Sequence, residues 1–140
     1  MNNAGENNAP PEYVAFYGSL RSGHGFQEQL TEAHQLRYVG ACQIPGELFD
    51  LGEFPGLVPG GSVVHGELYR VLDPAVFIKL DEYEVFDLAA VETSLFVRRV
   101  TRLAHPPVDC WVYFYNLEIL GQTKIKSGNW TEYQLRRLGS

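Results

Sequence analysis

Apolar and aromatic residues enter this chain in short runs, either unbroken or alternating with polar ones, and glycine and proline separate the runs. The first is Tyr13-Val14-Ala15-Phe16-Tyr17, which carries no charge and predicts a strand buried on both faces. It stops at Gly18-Ser19-Leu20-Arg21-Ser22-Gly23, and Gln27 to Ala33 predicts a short helix. Leu36 to Phe49 reads as strand, broken at Pro45-Gly46. Leu51 to Gly61 reads as a loop, punctuated by Pro55-Gly56 and Pro59-Gly60-Gly61. Val63 to Val71 alternates as a further strand. Leu95 to Leu103 and Val108 to Asn116 predict two more, joined by a turn through His105-Pro106-Pro107. A polar loop from Leu117 leads to a terminal helix near Thr131 to Leu138. Strands outnumber helices, with neither βαβ alternation nor an internal repeat, so the class is α+β with a curved, mostly antiparallel or mixed sheet. Closure into a small barrel would remove the exposed edges of so many short strands.

One segment has a helical period. Asp73-Pro74 is a start signal, with Asp as N-cap and Pro at the first helical position, and the helix should run to about Glu84 or Val85. With Val76 at zero and about 100° per residue, Leu80 falls near 40°, Phe77 near 100° and Tyr83 near −20°. Glu84 then lands near 80°, inside the apolar stripe, while Glu82 falls near 240° on the opposite face. A carboxylate on an inward face is costly unless it is paired, hydrogen-bonded or protonated. Desolvation raises its proton affinity, and the neighbouring acids Asp81 and Glu82 push the same way. General acid/base chemistry near neutral pH needs such a group. The plain alternative is a helix-end glutamate that curls out to solvent.

The turn after the first strand is a second candidate. A buried strand entering Gly18-Ser19 turns successive backbone N–H groups towards one point, where an anion can sit, and glycine lets a ligand approach closely. Ser19 adds a hydroxyl, and Arg21 or a tyrosine would help hold a carboxylate. An ordinary tight turn is the alternative. Gly23 comes too late for a nucleophile elbow, so Ser19 is not read as a nucleophile.

Composition narrows the classes. The 140 residues suit one domain; Met1 to Pro11, rich in Asn, Ala, Gly and Pro, reads as a disordered leader, leaving residues 12–140 as the domain. A net charge of −6 and scattered basic residues argue against nucleic acid or an anionic membrane as partner. Cys42 and Cys110 lie in apolar runs and read as buried, reduced thiols of a cytoplasmic protein. His24, His34, His65 and His105 show no ligand spacing, so no metal site is expected. No phosphate loop or dinucleotide fingerprint is present. Nothing in the sequence decides between monomer and homodimer.

Taken in order, Phe16-Tyr17-Gly18-Ser19-Leu20-Arg21, Val64-His65-Gly66-Glu67-Leu68-Tyr69 and Leu80-Asp81-Glu82-Tyr83-Glu84 resemble the γ-glutamylcyclotransferase-like (AIG2-like, butirosin-protease-like) superfamily. Arg98, Trp111-Val112-Tyr113-Phe114-Tyr115 and Ile125-Lys126-Ser127-Gly128-Asn129-Trp130 extend the match. The resemblance implies a small, mixed, mostly antiparallel β-barrel with a few short flanking helices. It implies a cofactor-independent reaction on a small γ-glutamyl substrate, closing the glutamyl ring and releasing 5-oxoproline and an amine. Glu84 matches the family's catalytic glutamate, and Tyr17, Gly18, Ser19 and Leu20 match its substrate-binding turn. Tyr113, with Tyr115 as the lesser choice, is a candidate to stabilise the oxyanion, and Arg98 is a candidate substrate contact. Phe96 stands where family members often carry a tyrosine, two residues before the matched arginine. That missing hydroxyl favours a rival reading, a non-catalytic module that binds γ-glutamyl or other small carboxylate metabolites. A third reading keeps the chemistry and changes the leaving amine, with Leu51 to Gly61 and Leu117 to Asn129 lining that side.

Overall fold

The structure, a computed structural model, describes residues 9–18, 20, 21, 27 and 31–139. Most of the leader, Ser19 and residues 28–30 lie outside the described residues; of the helix expected over Gln27 to Ala33, Gln27 is helical, whereas Thr31 to Ala33 are not. Six strands form one sheet: β1 (Tyr13–Phe16), β2 (Leu36–Asp50), β3 (Pro55–Val71), β4 (Phe96–Arg102), β5 (Asp109–Tyr115) and β6 (Thr123–Lys124). Their spatial order is β4-β5-β1-β3-β2-β6. Every pairing is antiparallel except β1 with β5, so the sheet is mixed. Two α-helices, α1 (Val76–Tyr83) and α2 (Trp130–Gly139), and a 3₁₀ turn at Val91–Thr93 complete the described elements.

The long β2–β3 hairpin dominates. The prolines and glycines between Leu51 and Gly61 suggested a loop, yet the turn is confined to Leu51–Phe54, closed by the Leu51 N–H donating to the Phe54 carbonyl at 3.0 Å. Pro55 to Val58 pair with Asp50 to Glu47. Residues 59–62 are the excursion: pairing passes from Val58 opposite Glu47 to Val63 opposite Pro45. The freed N–H groups of Gly61 and Ser62 donate to the Glu47 carboxylate at 3.0 and 3.1 Å. Pro45-Gly46 therefore marks a register shift inside a continuous strand, because a side chain satisfies the backbone groups that the ladder leaves open.

The sheet curls into a half-barrel. The turn between β4 and β5 reaches β2: the Gln43 N–H donates to the His105 carbonyl at 2.8 Å, and the Ala104 N–H donates to the Gln43 carbonyl at 2.9 Å. β1 is covered on both faces, as its uncharged sequence requires. Ala15 points with Ile44, Leu48, Leu68, Val112 and Trp130 into the concave core, whereas Val14 and Phe16 join Val76, Leu80, Phe96 and Tyr113 on the convex face under α1. Cys42 and Cys110 are buried free thiols.

The Ser127–Trp130 stretch owes its residue types to packing. Gly128 has φ of +67°, and a Cβ there would lie 2.2 Å from the Val63 carbonyl oxygen. Its own carbonyl accepts the His65 N–H at 2.8 Å. Asn129 caps α2, its Oδ1 accepting the Glu132 N–H at 3.2 Å, and also accepts Arg21 Nη1 at 3.1 Å. Trp130 then drops into the concave core. The motif thus ties α2 and β3 to the residue that follows the first-strand turn.

Candidate active site

Helix α1 brings a carboxylate to the corner where β1 ends. The helix begins at Val76 with Ala75 as its N-cap, two residues later than the cap expected at Asp73. Asp73 Oδ1 instead accepts the Ala75 N–H at 3.0 Å in the turn that leads into the helix. Val76 and Leu80 are its buried residues and seat it on the convex face. Its end is more unusual. The Val85 N–H donates to the Glu82 carbonyl at 3.1 Å and the Phe86 N–H to the Asp81 carbonyl at 2.9 Å, the pairing of a Schellman cap with Glu84 as the last residue. Such a cap needs a left-handed residue next, normally glycine, and here Val85 takes it with φ of +56°. A β-branched residue in that region carries about 1–2 kcal/mol of strain. The Val85 carbonyl is held by the Leu95 N–H at 3.1 Å, so the bend is anchored on both sides. Val85→Gly is expected to raise stability by about 0.5–1 kcal/mol in urea unfolding, the relief of strain exceeding the entropy that glycine adds to the unfolded chain.

A cavity of about 270 Å³ opens between this helix end and the first-strand turn. Tyr17, Gly18, Leu20, Glu84 and Tyr113 all line it, so the structure brings five of the sequence-derived candidates together. Phe54 and Pro55 line it from the β2–β3 turn, and Leu95, Phe96 and Val85 supply an apolar wall. The residues from 117 to 129 contribute none of the described lining. Gly18 packs against Pro55 so closely that a Cβ would sit 2.9 Å from the proline Cγ. A side chain there would push the turn away from the β2–β3 hairpin.

Glu84 is half-buried at the cavity wall, and its carboxylate has no hydrogen-bond or ion-pair partner among the described residues. Burial first, and the Asp81 carboxylate second, push its pKa up to about 8. The Tyr17 hydroxyl is used internally: it donates to the Tyr113 carbonyl at 2.6 Å and accepts the Leu57 N–H at 3.2 Å, and burial, then the Glu84 charge, raise its pKa. Tyr17→Phe would strand the Leu57 N–H and the Tyr113 carbonyl, with an expected cost of about 1–3 kcal/mol in the same unfolding assay.

Arg98 is not among the described lining residues. Its guanidinium grips Asp81 in a two-pronged pair, Nε to Oδ1 at 2.8 Å and Nη2 to Oδ2 at 3.0 Å. It lies over the rings of Phe77, 4.1 Å from the centroid, and Trp111, at 4.5 Å. Asp81 also accepts the Tyr113 hydroxyl at 2.5 Å. Sequence reading took Asp81 only as a like charge beside Glu84. Its one visible signal was the spacing, since Asp81 lies three residues before Glu84 and one turn along the same side of α1. Ser19 lies outside the described residues. No group of three or more His, Cys, Asp or Glu with metal-site geometry occurs among the described residues, nor any helix long and apolar enough to cross a membrane.

Comparison with known proteins identifies the family. Residues 14–132 match the family model described as "Gamma-glutamyl cyclotransferase, AIG2-like". The chain is 35% identical over 120 residues to the γ-glutamylcyclotransferase family protein YtfP of Citrobacter rodentium, covering 85% of this chain and 95% of that protein. It is 33% identical over 120 residues to YtfP of Escherichia coli K12, covering 85% and 96%. The solution structure of Escherichia coli YtfP superposes with a TM-score of 0.63 at 30% identity, covering 87% of this chain and 98% of that one. The same fold occurs within Kluyveromyces lactis allophanate hydrolase, with a TM-score of 0.63 at 16% identity, covering 94% of this chain but 22% of that one. On these matches, the chain belongs to the γ-glutamyl cyclotransferase, AIG2-like, family.

Proposed function

We propose that this chain is a γ-glutamyl cyclotransferase that acts in the cytoplasm on a small L-γ-glutamyl compound and releases 5-oxoproline and an amine. The observation that carries the reading is the Glu84 carboxylate, unpaired among the described residues, at the wall of a cavity it shares with the Tyr17–Leu20 turn. Backbone N–H groups of that turn, with Ser19, hold the substrate's α-carboxylate, and the glutamyl chain curls so that its α-amine faces its own γ-carbonyl.

Glu84 takes one proton from the α-ammonium. The neutral nitrogen attacks the γ-carbonyl carbon, a C–N bond forms, and the carbonyl oxygen carries the negative charge of a tetrahedral intermediate. As that intermediate collapses, the bond to the leaving nitrogen breaks and Glu84 returns its proton to that nitrogen. The second proton of the ring nitrogen then passes by way of Glu84 to the departing amine, which leaves as an ammonium ion. The ring closes and the amine departs with no water consumed. Orientation of a curled chain supplies about 7–11 kcal/mol of the barrier, and the glutamate about 10²–10⁴-fold in rate. A carboxylate that holds its proton up to about 8 is matched to both transfers.

The test is mass-spectrometric detection of 5-oxoproline after incubation with γ-glutamyl amino acids, γ-glutamyl amines and glutathione. Release from at least one supports the reading. Binding without release across the panel selects the rival reading of a small-metabolite binding module, which Phe96 at the cavity wall favours through its missing hydroxyl.

A further inference from the structure

Tyr113 and Arg98 sit opposite one another in the β4–β5 pairing, and both reach Asp81 on α1. Asp81 is therefore pinned on three sides: by two guanidinium bonds and by a phenol. The guanidinium is itself held over Phe77 and Trp111, so the carboxylate has little freedom to turn. A phenol has one proton to give, and at 2.5 Å from an ionised acceptor that proton is committed. What remains on the Tyr113 oxygen is lone-pair density, on a residue that lines the cavity and lies within the field of Glu84. An oxygen in that state cannot donate to a developing oxyanion. It can accept from a cation.

We propose that Asp81 is a positioning residue that commits the Tyr113 hydroxyl proton, so that the Tyr113 oxygen and Glu84 together receive the ligand's ammonium group. The proposal rests on the reading above only in requiring a ligand with a free α-amine, and it assigns Tyr113 to amine recognition instead of oxyanion stabilisation. The groups facing Glu84 are consistent with a cation's site. Asp81 lies on its own helix, Tyr17 at the end of β1 and Tyr113 on β5, while the Arg98 charge on β4 is spent on Asp81. No cation is among the described lining residues.

The experiment compares two probes, L-γ-glutamylethylamide and its des-amino analogue N-ethylglutaramic acid, which keeps the carboxylate and amide and lacks the amine. Affinities are measured by calorimetry on the parent, Tyr113→Phe and Asp81→Asn, with folding checked by circular dichroism, and 5-oxoproline release is followed across pH. The parent is expected to prefer the amine-bearing probe. Tyr113→Phe is expected to lower that preference about tenfold or more, leaving affinity for the des-amino probe unchanged. Asp81→Asn is expected to move the acidic limb of the rate profile to lower pH, since Glu84 loses the neighbouring negative charge, and Arg98→Lys to keep the parent's limb. That shift follows from the charge alone; positioning is read from the amine preference, which Asp81→Asn is expected to lower as Tyr113→Phe does and which a purely structural Asp81 would leave in place. An unchanged preference in Tyr113→Phe, with loss confined to kcat, overturns the proposal and restores the oxyanion role. If Asp81→Asn fails to fold, the Tyr113→Phe comparison decides alone. A parent that discriminates between the probes but releases no 5-oxoproline removes the cyclisation reading and leaves amine recognition standing. A parent that releases 5-oxoproline with its preference untouched by Tyr113→Phe does the reverse.

Discussion

Glu84→Gln is expected to lower 5-oxoproline release by about 10²–10⁴-fold while leaving the fold intact. Glutamine keeps the size and the hydrogen-bonding capacity of the side chain and loses only the ability to take up and return a proton. Turnover within a few-fold of the parent would remove Glu84 from the mechanism. The same substitution has a signature in stability. The folded carboxyl holds its proton up to about 8, above the ordinary 4.5, so between these values the folded state binds more protons than the unfolded state. Stability of the parent therefore falls as pH rises through that window, from its full value below 4.5. Glu84→Gln does not titrate, so it should match the parent in acid and exceed it above pH 8. The expected gain is about 2 kcal/mol, less than the whole shift implies because the cavity leaves the carboxyl partly open to solvent. A variant that loses activity and gains alkaline stability reports a residue held in an unfavourable state for function. Thermal unfolding of both proteins at acid and alkaline pH checks this.

The second large effect is structural. Trp130→Ala should destabilise the domain by about 3–5 kcal/mol, the usual cost of emptying a buried indole site. Trp130 is 1% exposed, among the largest fully buried side chains, and stacks on Tyr133 with ring centroids 5.9 Å apart. Domains of this kind have only about 5–15 kcal/mol in total, so the loss takes a large share. The damage should spread, because Asn129 next to it caps α2 and holds Arg21 beyond the first-strand turn. Urea unfolding should show a lower midpoint with an unchanged slope. A cost below about 1 kcal/mol would mean that the concave core closes over the gap without α2.

Much of this architecture is legible in the residues. β1 reads as doubly buried because nothing polar interrupts it, and the structure packs Ala15 into one core and Val14 and Phe16 into the other. The phase of α1 points Glu84 inward because Val76 and Leu80 fix the buried stripe. What escapes sequence reading has a physical cause in each case. The stretch from Pro55 to Gly61 looks like loop because its prolines and glycines are read locally, whereas Glu47 supplies from another strand the acceptor that the backbone there needs. Val85 gives no sign of a left-handed cap, since cap patterns expect glycine and the anchoring bond comes from Leu95. The Asp81–Arg98 pair joins a helix to an edge strand, a contact that helical periodicity does not encode. The two misread backbone features and the unread ion pair all depend on partners from other elements.

Strain at Val85 and the unpaired carboxylate beside it fall in the same turn of chain. Local rules are commonly broken where a fold holds a group ready for chemistry. The same fold occurs within Kluyveromyces lactis allophanate hydrolase, so the fold by itself does not define a function.

The most direct measurement is a carbon-13 NMR titration of the Glu84 side-chain carboxyl, assigned by its loss in Glu84→Gln. A midpoint near 8 is the result expected of a desolvated carboxyl at the cavity wall beside Asp81. A midpoint near the ordinary 4.5 would mean that the group is solvated like any surface glutamate, and it would contradict the acid/base role on which the proposed function depends.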